Sequence, residues 1–200
     1  AMLIAASDPV KVSGAIEDAK ALGVKIIYVD APAYEEGIVT LATNNYSAGL
    51  TAGQTMIDEL EALGIRSGSI GIIGVTRENI TTAERERGFR DAINANGNYR
   101  LLETRYTDGI RPHEFAMPAE LIMENADLVG LFGTNENTTE GVGAAIRQSG
   151  RNIVGIGFDI NPNIEQMIEA GYLKAVMLQN PYTMGYLGMA EAVAALLGLD

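Results

Sequence analysis

Residues 128–159, LVGLFGTNENTTEGVGAAIRQSGRNIVGIGFD, restrict the fold of this chain more than any other stretch. An apolar run over 128–132 breaks at Gly133 into Thr134-Asn135-Glu136. A helical pattern follows to Gln148, Gly150 closes it, and a second apolar run over 153–158 ends on Asp159. Neither run alternates with polar residues, so each reads as a strand buried on both faces, the kind found in parallel sheets with helices above and below. Ligands of open α/β sheets bind just beyond the carboxyl ends of the strands. Asn135 and Asp159 therefore stand where a ligand would be.

The same unit is written near the start. MLIAASDPVKVSGAIEDAKALGVKIIYVD runs from an apolar strand over 2–6 through Ser7-Asp8 and a helix to Gly23, then into a strand over 25–29 ending on Asp30. Two copies of one unit, each with a carboxylate closing its second strand, predict two similar lobes whose ligand-facing edges oppose each other across a cleft.

The rest of the chain keeps the alternation. Helical spacing of Val12, Ala15, Ile16, Ala19 and Leu22 predicts a helix over 11–23, and IVTLATN over 38–44 reads as a strand. Asn45-Tyr46-Ser47 opens a helix that Gly64 ends, and 69–75 is the next strand. Thr81-Thr82-Ala83-Glu84 fits a capping box for a helix running to Asn96-Gly97. A strand over 99–106, a helix over 112–125 begun by Pro112, a helix started by the Asn161-Pro162 cap and ended by Gly171, a strand over 173–178 and a helix over 182–197 complete the pattern. A β-α-β-α order of this kind predicts an α/β fold with parallel sheets covered on both faces.

Composition excludes several functions. A formal net charge of -12 over 200 residues argues against a nucleic-acid surface, which needs clustered Lys and Arg. With no cysteine there is no thiol nucleophile, disulfide or Cys-based metal site, and the single His113, predicted exposed in the first turn of a helix, leaves no triad and no multi-histidine metal centre. No cofactor is expected. Gly155-Ile156-Gly157 lies inside a strand with Ile at position 160, and no phosphate-cradling G-x-x-x-x-G-K-[ST] occurs. No apolar run approaches a membrane helix in length, and residues 2–6 are too short and lack the basic flank of a signal peptide.

Asp30, the TAERERGF segment, the TNE turn, GFD and QNPYTMG occur in one order along essentially the whole chain. Together they make the sequence resemble the type I periplasmic, or extracellular, solute-binding proteins, in the ribose and galactose branch serving sugar ABC transporters. The resemblance implies a two-lobed periplasmic-binding-protein-like fold without catalysis, one sugar clamped between the lobes and the closed form recognised by a membrane permease. It implies an N-terminal lobe built from residues 1–43 plus 181–200 and a C-terminal lobe over 44–180. The N-terminal lobe is then truncated by two βα units, the family's C-terminal tail and the chain's leader are absent, and an uncovered sheet edge and helix face are expected to bring homodimerisation or local disorder around 1–40. The implied location is periplasmic or extracellular.

Carried over by position, the resemblance makes Asp30 a hydroxyl acceptor, Arg85 a donor near the sugar ring, and Asn135, Asp159 and Gln179 further ligand contacts. Each has a plainer reading. The aspartates could simply terminate strands, Arg85 could belong to a solvated face of alternating charge, Asn135 or Asn137 could cap a helix, and Gln179 could hold crossing segments together. Tyr34, Tyr46 and Tyr182 are expected to pack against helices. Ala31 stands where ribose binders carry Arg, and Asp108-Gly109 where an aromatic would stack on the sugar. Two other functions share the fold: the effector domain of a lactose-repressor-type regulator, and a sugar-sensing module for a chemoreceptor or kinase.

Overall fold

The computed structural model describes residues 1–199; Asp200, the last residue of the predicted N-terminal lobe, lies outside the described residues. Strands and helices alternate as β1 (Met2–Ile4), α1 (Pro9–Ala21), β2 (Ile26–Val29), β3 (Val39–Leu41), α2 (Asn45–Ala62), β4 (Gly68–Gly74), α3 (Ile80–Asn96), β5 (Tyr99–Leu101), β6 (Arg105–Tyr106), α4 (Arg111–Glu124), β7 (Leu128–Gly133), α5 (Glu136–Ser149), β8 (Val154–Phe158), α6 (Pro162–Glu169), β9 (Ala175–Met177) and α7 (Pro181–Leu197). The α/β alternation read from the sequence is therefore present, and every strand pairing is parallel.

The chain divides into two compact units. The first contains Ala1–Asn44, Glu78–Thr81 and Gln179–Asp200; the second contains Asn45–Arg77 and Thr82–Leu178. In the first unit the sheet runs β1-β2-β3. In the second it runs β5-β4-β7-β8-β9, with β6 also beside β4.

In the second unit strand residues alternate between two faces, each covered by helices. Ile70, Ile72, Phe132, Ile156 and Phe158 pack under Met56 and Leu60 of α2 and Phe89 and Ile93 of α3. On the other face Ile73, Leu128 and Leu131 meet Leu121 of α4, Val142 and Ile146 of α5 and Ile164 of α6. Both faces are dry, which is why the strands read as unbroken apolar runs.

α2 and α3 approach each other backbone to backbone, and glycine makes this possible. A Cβ on Gly49 would lie 2.1 Å from the Arg85 carbonyl oxygen, and one on Gly88 would lie 2.1 Å from the Tyr46 carbonyl oxygen. No rotamer change relieves a clash with backbone. The first unit has a smaller core of Ala6, Ile16, Ile26, Tyr28 and Ala33. Its α7 lies against β2 through Gly188, where a Cβ would come within 2.7 Å of Val29. The outward face of α7, with Tyr182, Tyr186, Met189, Val193, Leu196 and Leu197, is exposed.

Several local expectations are corrected. The strand predicted over 99–106 is two short strands, both beside β4. The break at Glu103-Thr104 turns the buried Thr104 toward α3, where its hydroxyl donates to Glu86 at 2.6 Å and accepts from Arg90 at 2.6 Å, while Tyr106 donates to the other Glu86 oxygen at 2.8 Å. This polar cluster replaces the ladder that a continuous strand would have formed. The capping box at Thr81 and Glu84 does not form, because α3 already begins at Ile80. Thr81 instead donates to Asn79 at 2.8 Å, and Glu84 pairs with Arg87. α1 starts earlier than predicted, at Pro9, because Asp8 caps it by accepting from the Val10 and Lys11 amides. His113 is half-buried rather than exposed, its Nδ1 3.3 Å from the Thr107 carbonyl oxygen. Tyr34 and Tyr182 are exposed rather than packed. The Tyr182 ring stacks instead on Tyr186, centroids 6.4 Å apart.

The glycine contact yields a pair of outcomes with opposite sign. Gly88→Ala forces α2 and α3 apart and costs about 1–3 kcal/mol in urea unfolding. Gly14→Ala, in a helix position with nothing within 4 Å of the added methyl, leaves stability unchanged or raises it by roughly 0.5–1 kcal/mol. Equal effects of the two substitutions would contradict the close-packed arrangement.

Candidate functional site

β4, β7 and β8 are neighbours in the second sheet, so their carboxyl ends form one edge. Three of the residues singled out from the sequence come from that edge. Arg85 lies in α3, the first helix after β4; Asn135 follows β7; Asp159 follows β8.

Arg85 is buried, only 3% exposed, and a side-chain amide, a backbone carbonyl and an aromatic ring are among the groups that hold its guanidinium. Nε donates to the Asn45 side-chain oxygen at 2.8 Å and an Nη to the Thr134 carbonyl oxygen at 3.0 Å. The group also lies over the Phe158 ring, 4.1 Å from its centroid, a cation–π arrangement that favours a desolvated cation. Phe158 rests in turn on Phe132 at 6.1 Å, and Phe132 stacks on Phe89 at 4.3 Å. Because Thr134 precedes Asn135 and Phe158 precedes Asp159, the three candidate residues are brought together. The alternating-charge reading of Arg85 is thus replaced: its neighbours Glu84 and Arg87 are on the solvated face, and Arg85 is not.

Asn135 is the N-cap of α5. Its side-chain oxygen accepts from the Thr138 amide at 3.0 Å and the Thr138 hydroxyl at 2.8 Å. Capping and ligand contact are compatible, because the cap uses only the oxygen; the amide nitrogen makes no hydrogen bond to another described residue. Asn137, the rival cap, accepts from Arg111 at 3.1 Å.

Asp159 and Asp30 share an uncommon backbone. Their φ angles are 62° and 68°, in the left-handed region that residues with a Cβ adopt at a cost of roughly 1–2 kcal/mol. Each donates its amide N–H to the next strand at 2.9 Å, Asp159 to Met177 and Asp30 to Leu41. The duplication seen in sequence therefore extends to a matched strand-ending turn, β8 with β9 in one unit and β2 with β3 in the other. Asp108, exposed at the end of β6, repeats the turn with φ 55° and an amide bond of 2.8 Å to Val75. In the first unit Gln179 accepts from the Thr43 hydroxyl at 3.0 Å, joining the start of the last helical segment to the residues after β3.

Sequence reasoning missed Thr139. Its hydroxyl donates to the Asn135 carbonyl oxygen at 2.7 Å and accepts the Phe158 amide at 2.9 Å, tying the ends of β7 and β8 together. Gly157 makes room for it, since a Cβ there would lie 2.2 Å from the Thr139 methyl. The only signal for this in the sequence was the glycine two residues before Asp159. Among the described residues no group of His, Cys, Asp or Glu is arranged to hold a metal ion. The second unit thus offers a fixed cationic donor, an amide donor and a carboxylate acceptor at one sheet edge. That is a set suited to the mixed donors and acceptors of a polyhydroxylated molecule.

The chain is 28% identical over 194 residues to the ribose import binding protein of Bacillus subtilis (strain 168), covering 96% of this chain and 61% of that protein. It is 26% identical over 162 residues to the D-allose-binding periplasmic protein of Escherichia coli (strain K12), covering 80% of this chain and 50% of that protein. Among solved structures, an ABC transporter solute-binding protein from Agrobacterium vitis with bound D-fucose is 29% identical with a TM-score of 0.90, covering 99% of this chain and 69% of that one. The chain spans half to three fifths of the length of these two curated relatives. The model of the periplasmic binding protein domain matches residues 1–200, and the chain belongs to that family.

Proposed function

We propose that the chain is part of a sugar-binding protein that binds a monosaccharide or related polyol without transforming it and delivers it to the permease of an ABC transporter, in the periplasm or outside the cell. One observation carries the proposal: Arg85, Asn135 and Asp159, separated by 74 positions in sequence, converge on the carboxyl edge of one sheet. In this reading Arg85 donates to ring or hydroxyl oxygens, the Asn135 amide donates to a hydroxyl, and Asp159 accepts hydroxyl protons. In the first unit, taken by itself, Asp30 offers a carboxylate acceptor and Gln179 a side-chain amide as ligand contacts. A site with these polar groups rejects a ligand lacking the matching hydroxyls, because donors and acceptors desolvated on binding would be left unpaired. The names of the relatives favour transport over gene regulation, since those described above are import or solute-binding proteins.

Homodimerisation through the first unit belongs to the same proposal. It is supported by the exposed apolar face of α7 and by β1, which among the described residues has a strand neighbour on one side only.

Isothermal titration of the chain with D-ribose, D-allose and D-fucose is expected to give saturable heat with at least one sugar. Asp159→Ala and Arg85→Ala each weaken it at least tenfold, about 1.4 kcal/mol. Heats equal to those of the unaltered chain would remove both residues from the site. In sedimentation equilibrium the chain is expected to dimerise and the pair Met189→Glu, Val193→Lys to be monomeric; a monomer at every concentration without the substitutions contradicts the dimer.

A further inference from the structure

β7 and β8 pair in register as far as Phe132 with Ile156. In a parallel ladder the bonds to one neighbouring strand come from alternate residues, so the Phe158 N–H, two positions past Ile156, is the next donor on the β7 side. A side chain accepts it: the Thr139 hydroxyl oxygen, at 2.9 Å. Thr139 is fully buried, and its hydroxyl has one proton to give and lone pairs to share. The proton goes to the Asn135 carbonyl oxygen at 2.7 Å, four residues back, and the Thr139 amide meets the same carbonyl at 2.9 Å. The Gly133 carbonyl oxygen stands further off, at 3.5 Å.

A threonine hydroxyl bonded to the carbonyl four residues earlier is an ordinary local feature of helices. Here its remaining lone pair is taken by a strand nineteen positions later, which turns a local bond into a bridge between two strand ends. Glycine makes the room. A Cβ on Gly157 would lie 2.2 Å from the Thr139 methyl and 2.3 Å from its hydroxyl oxygen.

We infer that Thr139 is a positioning residue of the site, its hydroxyl setting the spacing between the ends of β7 and β8 that carry Asn135 and Asp159; that this spacing serves a sugar rests on the function proposed above. The Asn135 side chain is held separately, by the amide and hydroxyl of Thr138. Loss of the Thr139 hydroxyl therefore leaves the cap of α5 in place while the Phe158 N–H, buried and without its acceptor, shifts the end of β8 relative to it.

The first arm of the test needs no sugar. In 15N-labelled chain the Phe158 amide is expected to exchange slowly with water. Thr139→Val, which keeps the shape and removes donor and acceptor, is expected to speed that exchange by about tenfold more than it speeds the Ile156 amide of the same strand. Thr139→Ser keeps the hydroxyl and retains slow exchange. Unchanged Phe158 exchange in Thr139→Val, equal acceleration of Phe158 and Ile156, or fast exchange in Thr139→Ser overturns the inference, equal acceleration because it marks a contribution to global stability alone. Should Thr139→Val fail to fold, Thr139→Ala carries the same expectations.

The second arm is calorimetric titration with D-ribose, D-allose and D-fucose. Whichever of them binds the unaltered chain is expected to bind Thr139→Val about tenfold more weakly and Thr139→Ser within about twofold of the original affinity. Full affinity in Thr139→Val alongside lost affinity in Asp159→Ala overturns the inference. If none of the three sugars gives heat while the Phe158 amide behaves as expected, the bridge between the strand ends is supported and it is the sugar reading that fails.

Discussion

The amide hydrogen bond that ends β8, from Asp159 to the Met177 carbonyl, fixes more of this molecule than its single bond suggests. To make it, Asp159 turns into left-handed backbone, which stops the strand and leaves a carboxylate at the sheet edge beside Phe158. Phe158 in turn carries the guanidinium of Arg85 on its ring, and its amide is anchored by Thr139, which also holds the Asn135 carbonyl. One strained residue thereby organises three strand ends. The same turn at Asp30 in the first unit, with the same bond to the next strand, indicates that it belongs to the repeated unit and is not an accident of one loop. Non-glycine residues persist in such backbone where surrounding structure over-determines them, and they cluster at ligand sites.

The second constraint is the contact of α2 with α3. Two glycines let the backbones touch, and this brings Asn45 to Arg85 and covers one face of the sheet with Met56, Leu60, Phe89 and Ile93. Packing and the proposed site share that contact. A buried cation is costly unless hydrogen-bonded and paired or stacked, and the helix approach delivers one of the acceptors that Arg85 uses. In the first unit the outward face of α7 is exposed rather than covered in this way.

The sequence exposed the layered α/β order, because strands buried on both faces leave unbroken apolar runs such as 153–158 and helix ends leave glycines. It also pointed to Asp30 and Asp159, because polar residues at strand ends have few other reasons to recur. The split between β5 and β6 was hidden, since YRLLETRY reads as one β-like run while the break depends on Thr104 finding Glu86 and Arg90 on another element. The capping box failed for a related reason: Thr81 and Glu84 had the right spacing, but Asn79 and Arg87 offered nearer partners. Asn45 and Thr139 carry no local signature at all. One looks like a helix start and the other like an ordinary first-turn threonine, and their roles exist only once strands distant in sequence lie side by side.

Central to the proposed function is that the left-handed turn at Asp159 presents its carboxylate to a ligand. Urea unfolding of Asp159→Gly measures this most directly, because glycine occupies that backbone without strain. The expected result is an unfolding free energy equal to or above that of the unaltered chain, by up to about 1 kcal/mol, in a protein that no longer binds sugar. A loss of roughly 2 kcal/mol or more would show the carboxylate to be structural and would contradict the account.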